Sequence, residues 1–252
     1  MTADASYFDK WYADMSRSTR RDEAASRALC LPPELESTSL LSWDGIGDVT
    51  AVLGLTAGQT VVDLACGRGG YGLEIAFRTG ASLVGVDFSA VAIERAIERA
   101  GELGDRKAEF QVGLLTATGL DDRCAAAVLC IDAMQFAKPY AAGIAECRRI
   151  LEPGGRLVLT GWQSIDLRDE AVPVRLRRDL GAALRSGGFA DVQVLDMPAW
   201  RVAERAYWTQ SVAADPDGDP AVQSLRDEGE RTLQWLDRTR RVLVTGRAPA
   251  DS

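Results

Sequence analysis

The sequence predicts an α/β protein, a doubly wound and mostly parallel sheet with helices on both faces. Two observations carry this. From Thr60 onward, short β-rich runs alternate with runs of helical spacing. A glycine-rich bend in "VVDLACGRGGYGLEIA" joins the first such strand to the first such helix. With 252 residues, 46% apolar and 26% charged, the chain reads as one domain over 1–252. Residues 1–50 form a lid, 51–162 a ligand-binding core, and 163–252 the second half of the sheet.

The elements follow in order. The first fifty residues carry no strand signal and cluster Tyr7, Phe8, Trp11 and Tyr12, with Trp43 further on, which suits a helical lid with an aromatic face. Strands are expected at Thr60–Ala65, Ser82–Phe88, Ala108–Gly113, Ala125–Ile131 and Arg156–Trp162. Between them, Ile93, Ala96, Ile97, Ala100 and Leu103 recur at helical spacing, as do Ile144, Cys147, Ile150 and Leu151. A helix near Val174–Ser186 ends at Gly187 and Gly188, followed by a strand at Asp191–Met197. Helical stretches at Val202–Ala213 and Ala221–Asp237 flank "ADPDGDP" before a last strand at Arg240–Gly246. The insertion at about 200–238 is a candidate cap.

Charge and composition exclude several classes of function. A net charge of −8 disfavours nucleic acid and anionic membranes as partners. The basic run "RLRRD" at 175–179 is interleaved with other residues and reads as a solvated helix face. No apolar run reaches the length of a spanning helix and no leader pattern opens the chain, so a cytoplasmic location is expected. Five cysteines lack CxxC spacing and the chain has no histidine, so no metal site is expected. Oligomeric state stays open.

Gly67, Gly69 and Gly72 match G-x-G-x-x-G, and Asp87 lies twenty residues after Gly67 at the end of the next strand. That is the dinucleotide fingerprint as usually written. Its chemistry is general: glycines let backbone approach a ligand, a helix start offers free N–H groups, and a carboxylate accepts from ribose hydroxyls. Asp63, four residues before Gly67, separates the possibilities. An acid there repels a pyrophosphate and attracts an ammonium and a sulfonium.

The stretches "VVDLACGRGG", "LVGVDFS" and "CRRILEPGGRLVLTGW" resemble the nucleotide, ribose and end-of-core motifs of class I S-adenosylmethionine-dependent methyltransferases, in order and at the right spacing over Thr60–Trp162. The resemblance is to the bacterial small-molecule and natural-product tailoring type. It implies a Rossmann-like, seven-stranded sheet whose last strand is antiparallel, and S-adenosylmethionine as cofactor. It places backbone around Ala65, Cys66 and Gly67 at the methionine end, with Gly69 in the same loop and Asp63 near the amino group. Asp87 would bind the ribose and Phe88 the adenine. Two departures stand out: Leu114 replaces the acid that often follows the third strand, leaving the adenine to backbone near Leu114 and Leu115, and Ala65 stands where glycine is common.

In the same resemblance, "CIDAMQFAKPY" faces the transferred methyl, with Ile131 beside the cofactor. Asp132 would touch the methionine end, orient an acceptor amine or take its proton, or else cap the next turn. Gln135 falls where relatives often carry histidine, and can orient but not deprotonate. Candidates to wall an acceptor pocket are Tyr7, Trp11, Tyr12, Trp43, Trp162, Trp200, Tyr207 and Trp208, suiting a planar or cationic acceptor. The expected function is methyl transfer to a small molecule, with N- or C-methylation favoured over O-methylation because no imidazole base exists. Three rivals remain: a cyclisation or rearrangement with the cofactor structural, a non-catalytic binder of the cofactor, and a nicotinamide dehydrogenase.

Overall fold

The computed structural model describes Asp9, Tyr12 and residues 18–36, 39–104 and 107–250. In chain order the elements are α1 (Arg20–Leu29), a 3-10 turn at Pro33–Leu35, α2 (Trp43–Leu53), β1 (Thr60–Leu64), α3 (Gly70–Thr79), β2 (Ser82–Asp87), α4 (Ala90–Glu102), β3 (Ala108–Val112) and β4 (Ala125–Cys130). A 3-10 turn at Met134–Phe136, α5 (Tyr140–Ile150), β5 (Leu151–Ser164) and a 3-10 turn at Val174–Leu176 follow. The chain continues with α6 (Leu180–Ser186), β6 (Ala190–Asp196), α7 (Pro198–Ala213), α8 (Pro220–Leu233), a 3-10 turn at Leu236–Arg238 and β7 (Thr239–Arg247).

The seven strands form one sheet in the order β3-β2-β1-β4-β5-β7-β6. Strand β7 runs antiparallel to both neighbours, and the remaining pairs are parallel. The winding direction reverses between β1 and β4, which opens a crevice at the carboxyl ends of those strands. Val61, Val62 and Leu64 are fully buried because helices cover both faces of the sheet. One apolar cluster joins Leu29, Leu41, Ile46, Ile75 and Trp200; the other joins Val62, Ile144, Cys147 and Leu184.

The insertion between β6 and β7 is helical. Helices α7 and α8 pack on each other and on α1, and Arg21 Nη2 meets Glu228 Oε2 at 2.8 Å to join α1 to α8. Among the described residues, the lid region holds helices and no strand.

Several boundaries differ from expectation. Ala65, Phe88, Gly113, Ile131 and Met197 fall just outside their strands because the chain leaves the sheet there; Ala65 already has φ 57°. Strand β5 starts at Leu151, which belongs to the sheet and not to the preceding helix, and a register shift opposite β4 accommodates the Gly154 turn. The single helix expected at Val174–Ser186 is two pieces, because the Asp179 side chain accepts from Ala182 N at 2.8 Å and starts a new helix. Consequently "RLRRD" is not a helix face. On α4, Ala92, Ile93, Ala96 and Ala100 are buried while Ile97 and Leu103 are exposed, so the buried stripe is narrower than the sequence spacing suggested.

Candidate cofactor and active site

The loop from β1 to α3 turns through Ala65, Gly67 and Gly69 at φ 57°, 54° and 80°. This left-handed path is natural for glycine and strained for Ala65. Close approach explains the other glycines. A Cβ on Gly70 would lie 2.0 Å from the Leu35 carbonyl oxygen, and one on Gly72 would lie 2.7 Å from Asp63 Oδ2.

Asp63 and Asp87 stand at the ends of the adjacent strands β1 and β2, and both are buried. Burial, aided by the Asp87 charge, pushes the Asp63 carboxyl up to about 8. Asp63 forms no hydrogen bond or ion pair with any described residue. Asp87 is held firmly: Oδ2 accepts from Gly67 N and Oδ1 from Ser89 N, each at 2.9 Å. Burial still raises the Asp87 carboxyl, since those donors offset only part of the desolvation. Cys66 is buried beneath the loop, its thiol pushed well up by burial and the two carboxyls.

Across the crevice, Asp132 follows β4 at φ 54°. Its Oδ1 accepts from Arg241 Nη1 and from Thr160 Oγ1, each at 2.8 Å. Its Oδ2 accepts from Arg241 Nη2 at 3.0 Å, Ser39 Oγ at 2.5 Å and Leu40 N at 3.4 Å. Burial alone would raise this carboxyl; the Arg241 charge and the donors outweigh it and hold Asp132 below the usual range. Arg241 also lies over the Trp162 ring at 4.2 Å, with Glu204 Oε2 3.7 Å from its Nε. Glu204 in turn accepts from Trp162 Nε1 and Trp208 Nε1.

The segment leading to α2 crosses the crevice and is tied to it at two places, with two further ties to the chain before it. Besides Asp132, Tyr71 in the first turn of α3 donates to Leu41 O at 2.9 Å and accepts from Leu41 N at 3.2 Å. Arg68, inside the glycine loop, grips Asp22 of α1 at 2.7 and 2.9 Å. At the N-terminal side, Ser89 donates to Asp9 at 2.5 Å.

The remaining candidates are placed as follows. Gln135 donates to the Asp132 carbonyl at 2.6 Å. Ile131 is buried, Phe88 half-buried, Leu115 half-buried and Leu114 exposed. The loop carrying both leucines is fixed by Thr118, which donates its N–H and hydroxyl to Glu146 at 2.7 and 2.6 Å. Trp162 is half-buried against Arg241, and Tyr12 is buried. Trp200 and Tyr207 are core residues of the helical insertion; Trp200 donates to Asp48 at 2.9 Å, and Tyr207 packs edge-on against Trp208. Trp43 meets the guanidinium of Arg78 in the last turn of α3, the end away from the glycine loop. Tyr7 and Trp11 lie outside the described residues.

Sequence reasoning missed Arg241, Thr160, Glu204 and Ser39. For the first two a signal existed: each is a polar residue inside a strand that otherwise reads as buried and apolar.

Residues 61–155 match the family model described as a methyltransferase domain. That segment is similar to the domain of methyltransferases over somewhat more than a third of the chain. The sterol 24-C-methyltransferase erg6 of Aspergillus fumigatus is 32% identical over 136 residues, 54% of this chain and 36% of the relative. The chain thus matches about a third of that relative's length. A solved phosphoethanolamine N-methyltransferase 2 of Haemonchus contortus superposes with a TM-score of 0.75 at 19% identity, covering 96% of this chain and 60% of the other. The (4+2)-cyclase SpnF superposes with a TM-score of 0.65 at 21% identity, covering 82% and 80%. These likenesses establish a fold that hosts methyltransferases and a cyclase alike.

Proposed function

We propose that this protein binds S-adenosylmethionine in the crevice between β1, β2 and β4 and transfers its methyl group to a small-molecule acceptor, with 1–252 acting as one domain in the cytosol. The observation that carries the reading is Asp63, a buried carboxyl with no hydrogen-bond or ion-pair partner among the described residues, beside a glycine loop that Gly72 keeps open to it. An ammonium group on the ligand supplies the missing counter-charge. Backbone of Ala65, Cys66, Gly67 and Gly69 cradles the methionine end. Asp87 takes the ribose hydroxyls: its carboxylate accepts backbone N–H groups of Gly67, Ser89 and Phe88 and, with about four acceptor sites in all, keeps one for the ligand. Phe88, Ile131 and backbone of Leu114 and Leu115 enclose the adenine.

When bound, the cofactor supplies an electrophilic methyl on a sulfonium. The chain's own contribution is alignment and exclusion of water. Asp132, saturated with donors, is a poor proton acceptor; its role is to fix the Ser39–Leu40 segment and Gln135 around the acceptor. Without an imidazole, the arrangement suits a nitrogen or carbon acceptor that needs little deprotonation, as in a tailoring reaction. Of the described aromatic candidates, Trp162 and Tyr12 remain for the acceptor wall.

Calorimetry against S-adenosylmethionine, S-adenosylhomocysteine and NAD tests this reading. Binding of both sulfur nucleosides without NAD supports it, and binding of NAD alone overturns it. The tied-down Asp132, together with the cyclase fold likeness, keeps a rearrangement as the second reading. Product mass separates the two, since only methyl transfer adds a methyl group.

A further inference from the structure

Arg175, Arg177 and Arg178 fall within four consecutive residues, on the turn Val174–Leu176 and the bend after it. Val172 and Leu176 are buried anchors that fix this segment and leave the arginines around them. The turn packs against β5 and against the turn Met134–Phe136, which follows Asp132. The arginines therefore border the crevice on its β4–β5 side.

These three guanidiniums form no ion pair among the described residues. The acids nearest in charge are already engaged. Glu228, which acts on Arg175, is bonded to Arg21 at 2.8 Å. Asp169, which feels Arg177, is bonded to Arg238 at 2.8 Å. Arg177 Nε is buried with no hydrogen-bond partner among the described residues. Arg178 lies over the Tyr140 ring at 4.2 Å, a contact that leaves a guanidinium's N–H edge free to donate. Beside them Val174 and Phe136 expose apolar surface, at 76% and 42%.

In a chain of net charge −8, three guanidiniums at one lip, none in an ion pair among the described residues, create a local positive field, and their forks match the oxygens of a carboxylate or phosphate. We propose that this lip binds the anionic group of the acceptor, a carboxylate or phosphate, whose apolar body lies on Phe136 and Val174. This rests on the crevice being the acceptor site, as proposed above, and narrows the acceptor to an anionic amphiphile in place of a cationic one.

The test is calorimetry on S-adenosylhomocysteine-saturated protein with octyl phosphate, octanoate and octylammonium, each below its micelle concentration. The two anions bind and compete, and octylammonium binds at least about tenfold more weakly. Replacing all three arginines by glutamine weakens the anions about tenfold or more, as loss of charge-assisted hydrogen bonds requires, and leaves S-adenosylhomocysteine affinity unchanged. Arg175→Gln and Arg178→Gln, both at exposed positions, give the same comparison singly if the triple variant fails to fold. Equal binding of all three probes, unchanged anion affinity in the variants, or binding to anionic vesicles without binding of the soluble anions overturns the proposal. If S-adenosylhomocysteine does not bind, the cofactor reading fails, and the same titrations on the free protein still decide the role of the arginines.

Discussion

Arg241 on β7 grips Asp132 after β4 through both terminal nitrogens, at 2.8 and 3.0 Å, and both side chains are buried. The pair ties the last strand of the sheet to the loop that closes the crevice, and through Ser39 and Leu40 to the crossing segment. Removing one partner leaves the other buried and unpaired, which typically costs about 3–5 kcal/mol. Arg241→Met is expected to destabilise the protein by that order in urea unfolding, and more than Arg240→Met on the half-buried neighbour.

The same pair sets an acid limit. The folded Asp132 carboxyl lies below its unfolded value, so its stabilising contribution is full above the unfolded pKa, about 3.9. It is lost as pH falls through the folded value. Urea midpoints measured between pH 5 and pH 2 are expected to drop steeply in the parent and less in Asp132→Asn, which starts lower.

Asp63 behaves in the opposite sense. With its folded pKa raised to about 8, the folded chain keeps a proton that the unfolded chain releases above about pH 4. Stability therefore falls as pH rises from about 4 to about 8, and Asp63→Asn is expected to flatten that decline. A ligand ammonium beside Asp63 drives the proton off. Calorimetry of S-adenosylmethionine at pH 7 in buffers of different ionisation enthalpy is expected to show more proton release in the parent than in Asp63→Asn.

Asp87 carries two jobs in one carboxylate, the loop N–H of Gly67 and the proposed ribose. Asp87→Ala is expected to weaken S-adenosylhomocysteine by about 1.5–3 kcal/mol for each charge-assisted hydrogen bond lost. Unchanged affinity removes Asp87 from the ribose role.

Gly70 admits the Leu35 carbonyl where a Cβ would lie 2.0 Å from it. Gly70→Ala must push the crossing segment away, at a cost of about 1–3 kcal/mol typical of overpacking. Hydrogen exchange is expected to show faster exchange at Leu40 and Leu41, whose N–H groups bond to Asp132 and Tyr71.

The sequence by itself determined the sheet, the glycine loop and the acids at the ends of β1 and β2. These depend on local alternation, on glycine's access to positive φ and on fixed spacing along one βα unit, all of which are written in neighbouring residues. The tertiary structure alone decided what Asp132 does. Its partners Ser39, Thr160 and Arg241 lie 93, 28 and 109 residues away, and no local pattern announces a bidentate pair across the sheet. It also decided which aromatics are core, because Trp200 and Tyr207 are buried only once α7 folds back onto α1 and α2. The arginines of the 175–178 run changed meaning for the same reason: Asp179 starts a new helix, and the turn before it is carried to the lip of the crevice.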